Sequence, residues 1–180
     1  MYDRCVTRGV AGSIIPVIYG YGTQFIQTPG LVAIRYEMVH ETRIIPIDPP
    51  NNPRPHASSS YWSFMGDLRG HWEGSTLVIE TTNFIAGRNG VGGNGNGAPT
   101  SEDLKLIERF ARTSDTTIQY ELTVNDLKAY TASWKLSFPI THEDGYQIFE
   151  YACHEGKYGL RNLLSAARAD DAAEAAKAKK

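Results

Sequence analysis

Apolar and polar positions alternate along most of the sequence up to Cys153, and this period-two pattern predicts β-strands rather than helices. A short strand is predicted over Thr23–Gln27, followed by the turn residues Thr28-Pro29-Gly30. A long extended run, rich in Val, Ile and Tyr, then covers Leu31–Asp48. The proline-rich segment Pro49–Pro55 must end this run, because proline cannot donate to a strand ladder.

The pattern continues in the second half of the chain. Glu73-Gly74-Ser75 predicts a tight hairpin turn leading into a strand over Leu77–Phe84. Four further strands are predicted at nearly even spacing: Leu104–Arg112, Thr117–Val124, Ala132–Phe138 and Tyr146–Cys153. From Leu160 the sequence becomes rich in Ala, which predicts a C-terminal helix.

These elements predict an all-β fold. We expect an antiparallel meander forming a lipocalin-like (calycin-like) β-barrel with a C-terminal α-helix, and the alternative is a two-sheet β-sandwich. The predicted organisation is a single barrel domain over residues 1–160 and an Ala-rich helix or tail over residues 161–180. Barrels of this size hold a small ligand in their mouth.

Strand alternation also assigns residues to faces. In Leu31–Asp48 the face beginning at Val32 is the more apolar and carries His40, whereas Arg43 falls on the opposite face. Glu108 lies among the apolar residues of its own strand. The parity of Leu77–Phe84 and Tyr146–Cys153 is ambiguous, and with it the direction of Glu80, Glu150 and His154.

The predicted interior therefore combines titratable and aromatic residues. His40 and Glu108, with Glu80, Glu150 and His154 as further candidates, would point into a barrel lined by Tyr36, Phe110, Tyr120 and Trp134. Buried carboxylates need partners, and the candidate cations are Arg43, Arg69, Arg109 and Arg112. Burial raises a Glu pKa and lowers a His pKa, which suits general acid–base chemistry.

The first functional hypothesis is a small-molecule enzyme, a lyase or isomerase without an organic cofactor, acting on a small aromatic or apolar compound such as an acidic phenol. His40 and His154 would be its acid and base, and Glu108 and Glu150 would orient or share the proton. Arg43 or Arg109 would hold a carboxylate or phenolate. The remaining predicted ligand contacts are Arg69, Tyr36, Tyr120, Trp134 and Trp72.

Two alternatives stay open at this point. A non-enzymatic carrier would use the same interior for specificity alone. A metal-dependent hydrolase or oxygenase would hold a divalent ion with His40, His154 and Glu150. Each of these residues also has a purely structural interpretation, and Trp72 in particular is favoured as a core anchor.

Other motifs carry less chemistry. The glycine-rich stretch Gly87–Ser101 contains a GxGxxG pattern, but no strand–helix context supports a dinucleotide site, and a loop is the better interpretation. Asp67 and His71 belong to a polar segment that is either a binding rim or a loop ion pair. His56 lies in a loop beside three serines, none of which is marked as a nucleophile.

Composition excludes some partner classes. Lys and Arg number 18 against 20 Asp and Glu, so the net charge of -2 argues against a strongly basic nucleic-acid binder. No stretch approaches about 20 apolar residues, so membrane insertion is not expected. An exposed edge strand would allow a homodimer.

The two cysteines, Cys5 and Cys153, are far apart in the sequence. As a disulfide they would stabilise the fold by about 4–5 kcal/mol on the chain-entropy model, and the alternative is two free thiols. No zinc-ligand spacing is present.

Four motifs carry a resemblance to a known family: VHETRIIPID, MGDLRGHWEGSTLVIETTNF, LIERFAR and FEYACHEGKYGLRNLLSAARA, which start at Val39, Met65, Leu106 and Phe149. The chain resembles a family of exported, largely uncharacterised bacterial proteins with an N-terminal export signal. The resemblance implies a periplasmic or secreted protein with its leader already removed. It makes a Cys5–Cys153 disulfide more plausible and implies no particular activity.

Overall fold

The computed structural model describes residues 5–17, 19–49, 51–85, 91–92 and 97–177, and His40 is described in its backbone only. Two helices, one 3-10 helix and eight strands make up this part of the chain. The helices are α1 (Gly9–Ile14), the 3-10 helix Met38–His40 and α2 (Gly159–Lys177). The strands are β1 (Thr23–Thr28), β2 (Leu31–Tyr36), β3 (Thr42–Pro46), β4 (Asp67–Glu73), β5 (Thr76–Thr82), β6 (Lys105–Arg112), β7 (Thr117–Asn125) and β8 (Trp134–Thr141).

The strands form two antiparallel sheets in sequential order, β1-β2-β3 and β4-β5-β6-β7-β8. This confirms the predicted all-β class, the predicted hairpin turn at Gly74 and the C-terminal helix. A parallel bridge between Ile47 and Gly70 joins the sheets. Gly70 allows this approach, because a Cβ there would lie 2.7 Å from Cδ1 of Ile47. Within the described residues, strands β1 and β8 do not pair with each other, so the two sheets do not form a closed barrel.

The core lies where the inner faces of the two sheets meet. Its central residues have almost no exposed surface, and they come from both sheets: Ile34, Tyr36 and Ile45 from the first, and Ile79, Leu106, Tyr120, Leu122 and Val124 from the second. A row of aromatic rings crosses the core, with Phe25 on Phe110, Phe110 on Tyr120 and Tyr120 on Phe138. Helix α1 is wholly buried.

The predicted long strand over Leu31–Asp48 is wrong. The 3-10 helix Met38–His40 divides it, and Val39 has a φ of 60°. One residue in the left-handed region breaks the alternation, so the parity of everything after it changes. Arg43 and Ile45 therefore point inward, 1% and 0% exposed, while Ile44 points outward. The predicted outward position of Arg43 is corrected accordingly.

The predicted strand over Tyr146–Cys153 is also wrong. This segment has no strand pairing, and its amide groups at Phe149 and Tyr151 donate instead to the side chain and the carbonyl of Glu37. Tyr146 and Phe149 are exposed. The alternation of apolar residues here reflects a surface segment held by a few hydrogen bonds.

The ambiguous parity of the predicted strand Leu77–Phe84 is now resolved. In β5 the side chains of Leu77, Ile79 and Thr81 face the core, and Glu80 faces the outer surface of the sheet. Strand β8, at the edge of its sheet, carries Pro139 and an exposed Lys135, both of which oppose pairing with a further strand.

Cys5 and Cys153 form a disulfide across a separation of 148 residues, which confirms the predicted pair.

Of the glycine-rich stretch, residues 86–90 and 93–96 lie outside the described residues, and Val91 pairs with Ala98 in an isolated bridge. In the described part of the chain, the helices are all too short or too polar to cross a membrane.

Candidate functional site

Four of the predicted site residues meet in one buried cluster between the sheets. Nη1 of Arg43 donates to Oε1 of Glu108 at 3.0 Å, and Nη2 donates to Oε2 of the same carboxylate. Nη1 also reaches the hydroxyl of Tyr36 at 3.1 Å. The hydroxyl of Tyr120 donates to Oε1 of Glu108 at 3.0 Å. Both members of the ion pair have side chains that are 0% exposed.

The cluster holds its tyrosines neutral and its arginine charged. Burial is the main cause that raises the pKa of Tyr36 to about 12, and it raises the pKa of Tyr120 well above its ordinary value. Burial alone would lower the pKa of Arg43, but the charge of Glu108, the Tyr36 hydroxyl and the hydrogen bonds to both together outweigh it and raise that pKa. The Nε atom of Arg43 has no hydrogen-bond partner among the described residues. The cluster is thus a solvent-inaccessible ion pair in which both carboxylate oxygens of Glu108 already accept hydrogen bonds.

The other predicted residues lie elsewhere. Glu150 and His154 are exposed in the segment after β8, so the structure does not bring them to Glu108. The side chain of His40 lies outside the described residues. Arg109 pairs with Glu73 on the outer surface, and the ring of Trp134 packs on Tyr130.

In the described part of the chain, no three His, Cys, Asp or Glu side chains lie close enough together to bind a metal ion. Because His40 is one of the three predicted ligands, the His40, His154 and Glu150 set stays a prediction.

A second titratable cluster, which we call the His56 site, lies on the outer surface of the five-stranded sheet. It consists of His56, Asp67, Arg69, Glu80 and Lys105. Nδ1 of His56 lies 2.8 Å from Oδ2 of Asp67, and Nε2 lies 3.1 Å from Oε1 of Glu80. Arg69 donates to Asp67 at 2.9 Å, and Lys105 lies 2.7 Å from Glu80.

The two carboxylates of the His56 site are held ionised. Burial raises the pKa of Asp67, but bonds from the Ala57 amide and His56 and the charge of Arg69 outweigh it, so the net pKa is lowered. The pKa of Glu80 is also lowered, since Lys105 and His56 together outweigh burial. Ionised carboxylates only accept hydrogen bonds, so both ring bonds form together only when His56 carries two protons. With one proton, the ring donates a hydrogen bond to one of the two carboxylates, and its other nitrogen carries a free lone pair.

Local structure fixes the geometry of the His56 site. The register of β4 on β5 pairs Arg69 with Glu80, which places Asp67, Arg69 and Glu80 on one face. The loop that carries His56 is anchored by Asn83, whose side-chain amide donates to the carbonyls of Ala57, Ser58 and Tyr61.

The ring of His56 is 22% exposed, against 11% for Asp67 and 32% for Glu80. The site is therefore ordered yet open to solvent on the Glu80 side. Sequence reasoning gave His56 no role; the predicted hairpin at Gly74 was the one pattern that could have paired Arg69 with Glu80.

Trp72 lines an open groove of about 760 Å³ on a different part of the surface. The β1–β2 turn and the end of β3 supply the other walls, which include Gln27, Pro29, Val32 and Ile47. Trp72 also packs against the core, as its structural interpretation predicts, and its ligand contact stays a prediction.

In comparisons with known proteins, no family model, curated protein or solved structure matches this chain.

Proposed function

We propose that the protein is a small-molecule enzyme of the lyase or isomerase type, in which His56 transfers a proton. The observation that carries the proposal is the placement of the imidazole between Asp67 and Glu80, with each carboxylate facing one ring nitrogen. Asp67 is the more buried partner and orients the ring through Nδ1. Nε2, on the more open side, is the atom that takes or gives the proton.

Flanking charges indicate the kind of substrate. The carboxylate of Glu80 lies against Nε2 of His56 in this structure and also forms an ion pair with Lys105. An incoming carboxylate or phenolate would bind Lys105 and displace Glu80 from the ring, which exposes the Nε2 lone pair to the substrate. A small compound with an acidic group, such as a phenolic acid, matches this arrangement.

The experiment follows proton transfer directly. A panel of phenolic and hydroxy acids is incubated with the protein in D₂O, and proton NMR records deuterium uptake and new products. His56→Gln should abolish both. His71→Gln is the matched control, because His71, on β4, also pairs with a carboxylate, that of Glu73, and plays no part in the site. Absence of exchange across the panel, or equal exchange by the His56→Gln protein, would refute the proposal.

The acid–base roles predicted for His40, His154, Glu108 and Glu150 stay predictions. So do the ligand contacts of Arg43, Arg109, Tyr36, Tyr120 and Trp134. The bonds that fill the Arg43–Glu108 cluster support a role in holding the two sheets together.

A carrier function is the second candidate, and the groove at Trp72 favours it. The volume of the groove falls in the range of small-ligand sites. Quenching of tryptophan fluorescence by a phenolic acid, lost in Trp72→Phe and retained in Trp62→Phe, would support binding there; equal quenching in both variants would oppose it.

The proposal also includes the kind of β-fold and the cellular location of the protein. Sequential strand order and the bridge between β3 and β4 support an open, lipocalin-like barrel. The disulfide supports an exported, periplasmic or secreted protein, because such bonds persist in oxidising compartments.

A further inference from the structure

The segment after β8, residues 142–177, forms an arm that few contacts hold to the sheets. No residue of α2 is buried. The Cys5–Cys153 disulfide is its covalent attachment. A second attachment is Glu37, whose carboxylate accepts from the Tyr146 hydroxyl and from the Phe149 amide at 2.9 Å.

The two sulfur atoms of this disulfide have different surroundings. Cys5 is 6% exposed and belongs to the body of the protein, with a φ of 55° that non-glycine residues rarely adopt. Nζ of Lys157 lies 3.5 Å from Sγ of Cys5. Cys153 belongs to the arm and is only half-buried. A reagent from solvent therefore meets Cys153 first, while a cation lies beside Cys5.

We infer that the disulfide is a reducible clasp for the arm, opened by a dithiol reductant that attacks Sγ of Cys153. A thiolate of the reductant forms a mixed disulfide with Cys153, the Cys5–Cys153 bond breaks, and Cys5 leaves as a thiolate beside the Lys157 ammonium. The second thiol of the reductant then attacks its own sulfur in the mixed disulfide and releases Cys153. The reductant loses two electrons to become a disulfide, and the protein gains two thiols, the two protons coming from the dithiol or solvent.

Lys157 controls the direction and rate of this reaction. Thiol exchange is faster when the leaving sulfur is the more stable thiolate, and an adjacent ammonium stabilises a thiolate. Once the clasp is open, the described contacts between the arm and the body include the bonds to Glu37 and the tilted ring contact between Tyr19 and Tyr151. Reduction thus removes the covalent cross-link and leaves the arm held by these weaker contacts, so the arm loosens while both sheets remain folded.

The kinetic test compares Lys157→Gln with Arg161→Gln, a control that removes one positive charge from an exposed position on the same arm. Both variants and the parent protein are reduced with dithiothreitol under conditions where the sheets stay folded. Lys157→Gln should slow reduction about threefold or more, and Arg161→Gln should leave the rate unchanged. Equal rates in all three proteins would overturn the role of Lys157.

The site of attack is tested with glutathione, a monothiol whose first attack leaves it bound to the attacked cysteine in a mixed disulfide that is trapped at an early time. After acid quenching, peptide mass spectrometry should find glutathione on Cys153; glutathione mainly on Cys5 would overturn the assignment. Amide hydrogen exchange then measures how firmly the arm is held to the body. Amides of residues 146–153 should exchange faster after reduction and equally fast in a Cys5→Ser/Cys153→Ser protein, with β7 unchanged. Unchanged exchange in the arm would show that the disulfide is not its clasp.

Discussion

Arg43 and Glu108 are 65 residues apart in the sequence, yet their side chains form an ion pair between the two sheets from which solvent is completely excluded. Tyr36 and Tyr120 complete the hydrogen bonds of the pair. Because Arg43 comes from β3 and Glu108 from β6, the pair fixes how one sheet lies on the other.

Removing one member of this pair should be costly. Glu108→Ala leaves the Arg43 charge buried and unpaired, and we expect the free energy of unfolding to fall by about 3–5 kcal/mol. The double variant Arg43→Met/Glu108→Leu removes both charges, so it should recover most of that loss. Urea denaturation of the three proteins provides the measurement. A single variant that loses less than the double variant would contradict this account.

Two glycines with similar backbone angles offer a matched comparison. Gly30 and Gly66 have φ values of +78° and +72°, but a Cβ at Gly30 would meet nothing within 4 Å, whereas a Cβ at Gly66 would lie 2.5 Å from the carbonyl oxygen of Thr82. Gly30→Ala should cost about 1–2 kcal/mol for its left-handed backbone. Gly66→Ala should cost roughly 1–3 kcal/mol more because of the clash. Equal thermal stability of the two variants would refute the expected clash.

Asn83 should prove important for the loop that carries His56. Asn83→Gly removes the three hydrogen bonds to the loop carbonyls but tolerates the φ of 58°, and we expect a loss of about 1–3 kcal/mol. Asn83→Ala should lose roughly 1 kcal/mol more, since alanine also opposes this φ. Denaturation compares the two, and hydrogen exchange at residues 57–61 reports the loop. A protected loop in both variants would show that other contacts hold it.

The His56 site should make the protein sensitive to acid. The pKa of Asp67 is lowered in the fold, so its proton binds the unfolded chain more tightly. The stability it supplies is complete above the ordinary aspartate pKa of about 3.9 and is lost as the pH falls below that value, through the lower folded pKa.

Asp67→Asn should therefore reduce the loss of stability as the pH falls from about 4 to about 2, the range below the ordinary aspartate pKa, as measured by urea denaturation at several pH values. Asp115→Asn is the control, since its carboxylate is fully exposed. An Asp67→Asn protein with the same acid sensitivity as the parent would contradict the lowered pKa.

The strands of the five-stranded sheet were largely predictable, because each one shows its own alternation and turn residues separate them. Its Glu108 was correctly placed inside, and Arg43 was among its predicted partners. The 3-10 helix at Met38–His40 was not predictable, because no glycine or proline marks Val39 as left-handed. One such residue reverses the face of Arg43, which local periodicity cannot reveal.

The His56 site depends on contacts between distant segments. Its imidazole comes from a proline-rich loop, and alternation carries no information about where such a loop lies on a sheet. Asp67 and Glu80 are positioned by strand register, which the hairpin turn sets, but the predicted inner and outer faces of β5 were ambiguous. The alternating apolar residues of the arm after β8 predict a strand, but in the described part of the chain no neighbouring strand pairs with them.

The disulfide also determines how the molecule would respond to mechanical force. All of the strands from β1 to β8 lie between Cys5 and Cys153. Tension applied to the chain outside these two residues would pass directly through the sulfur bridge and leave both sheets without load. Of the described elements only α2 lies outside the loop, so it alone would stretch until the bridge is reduced.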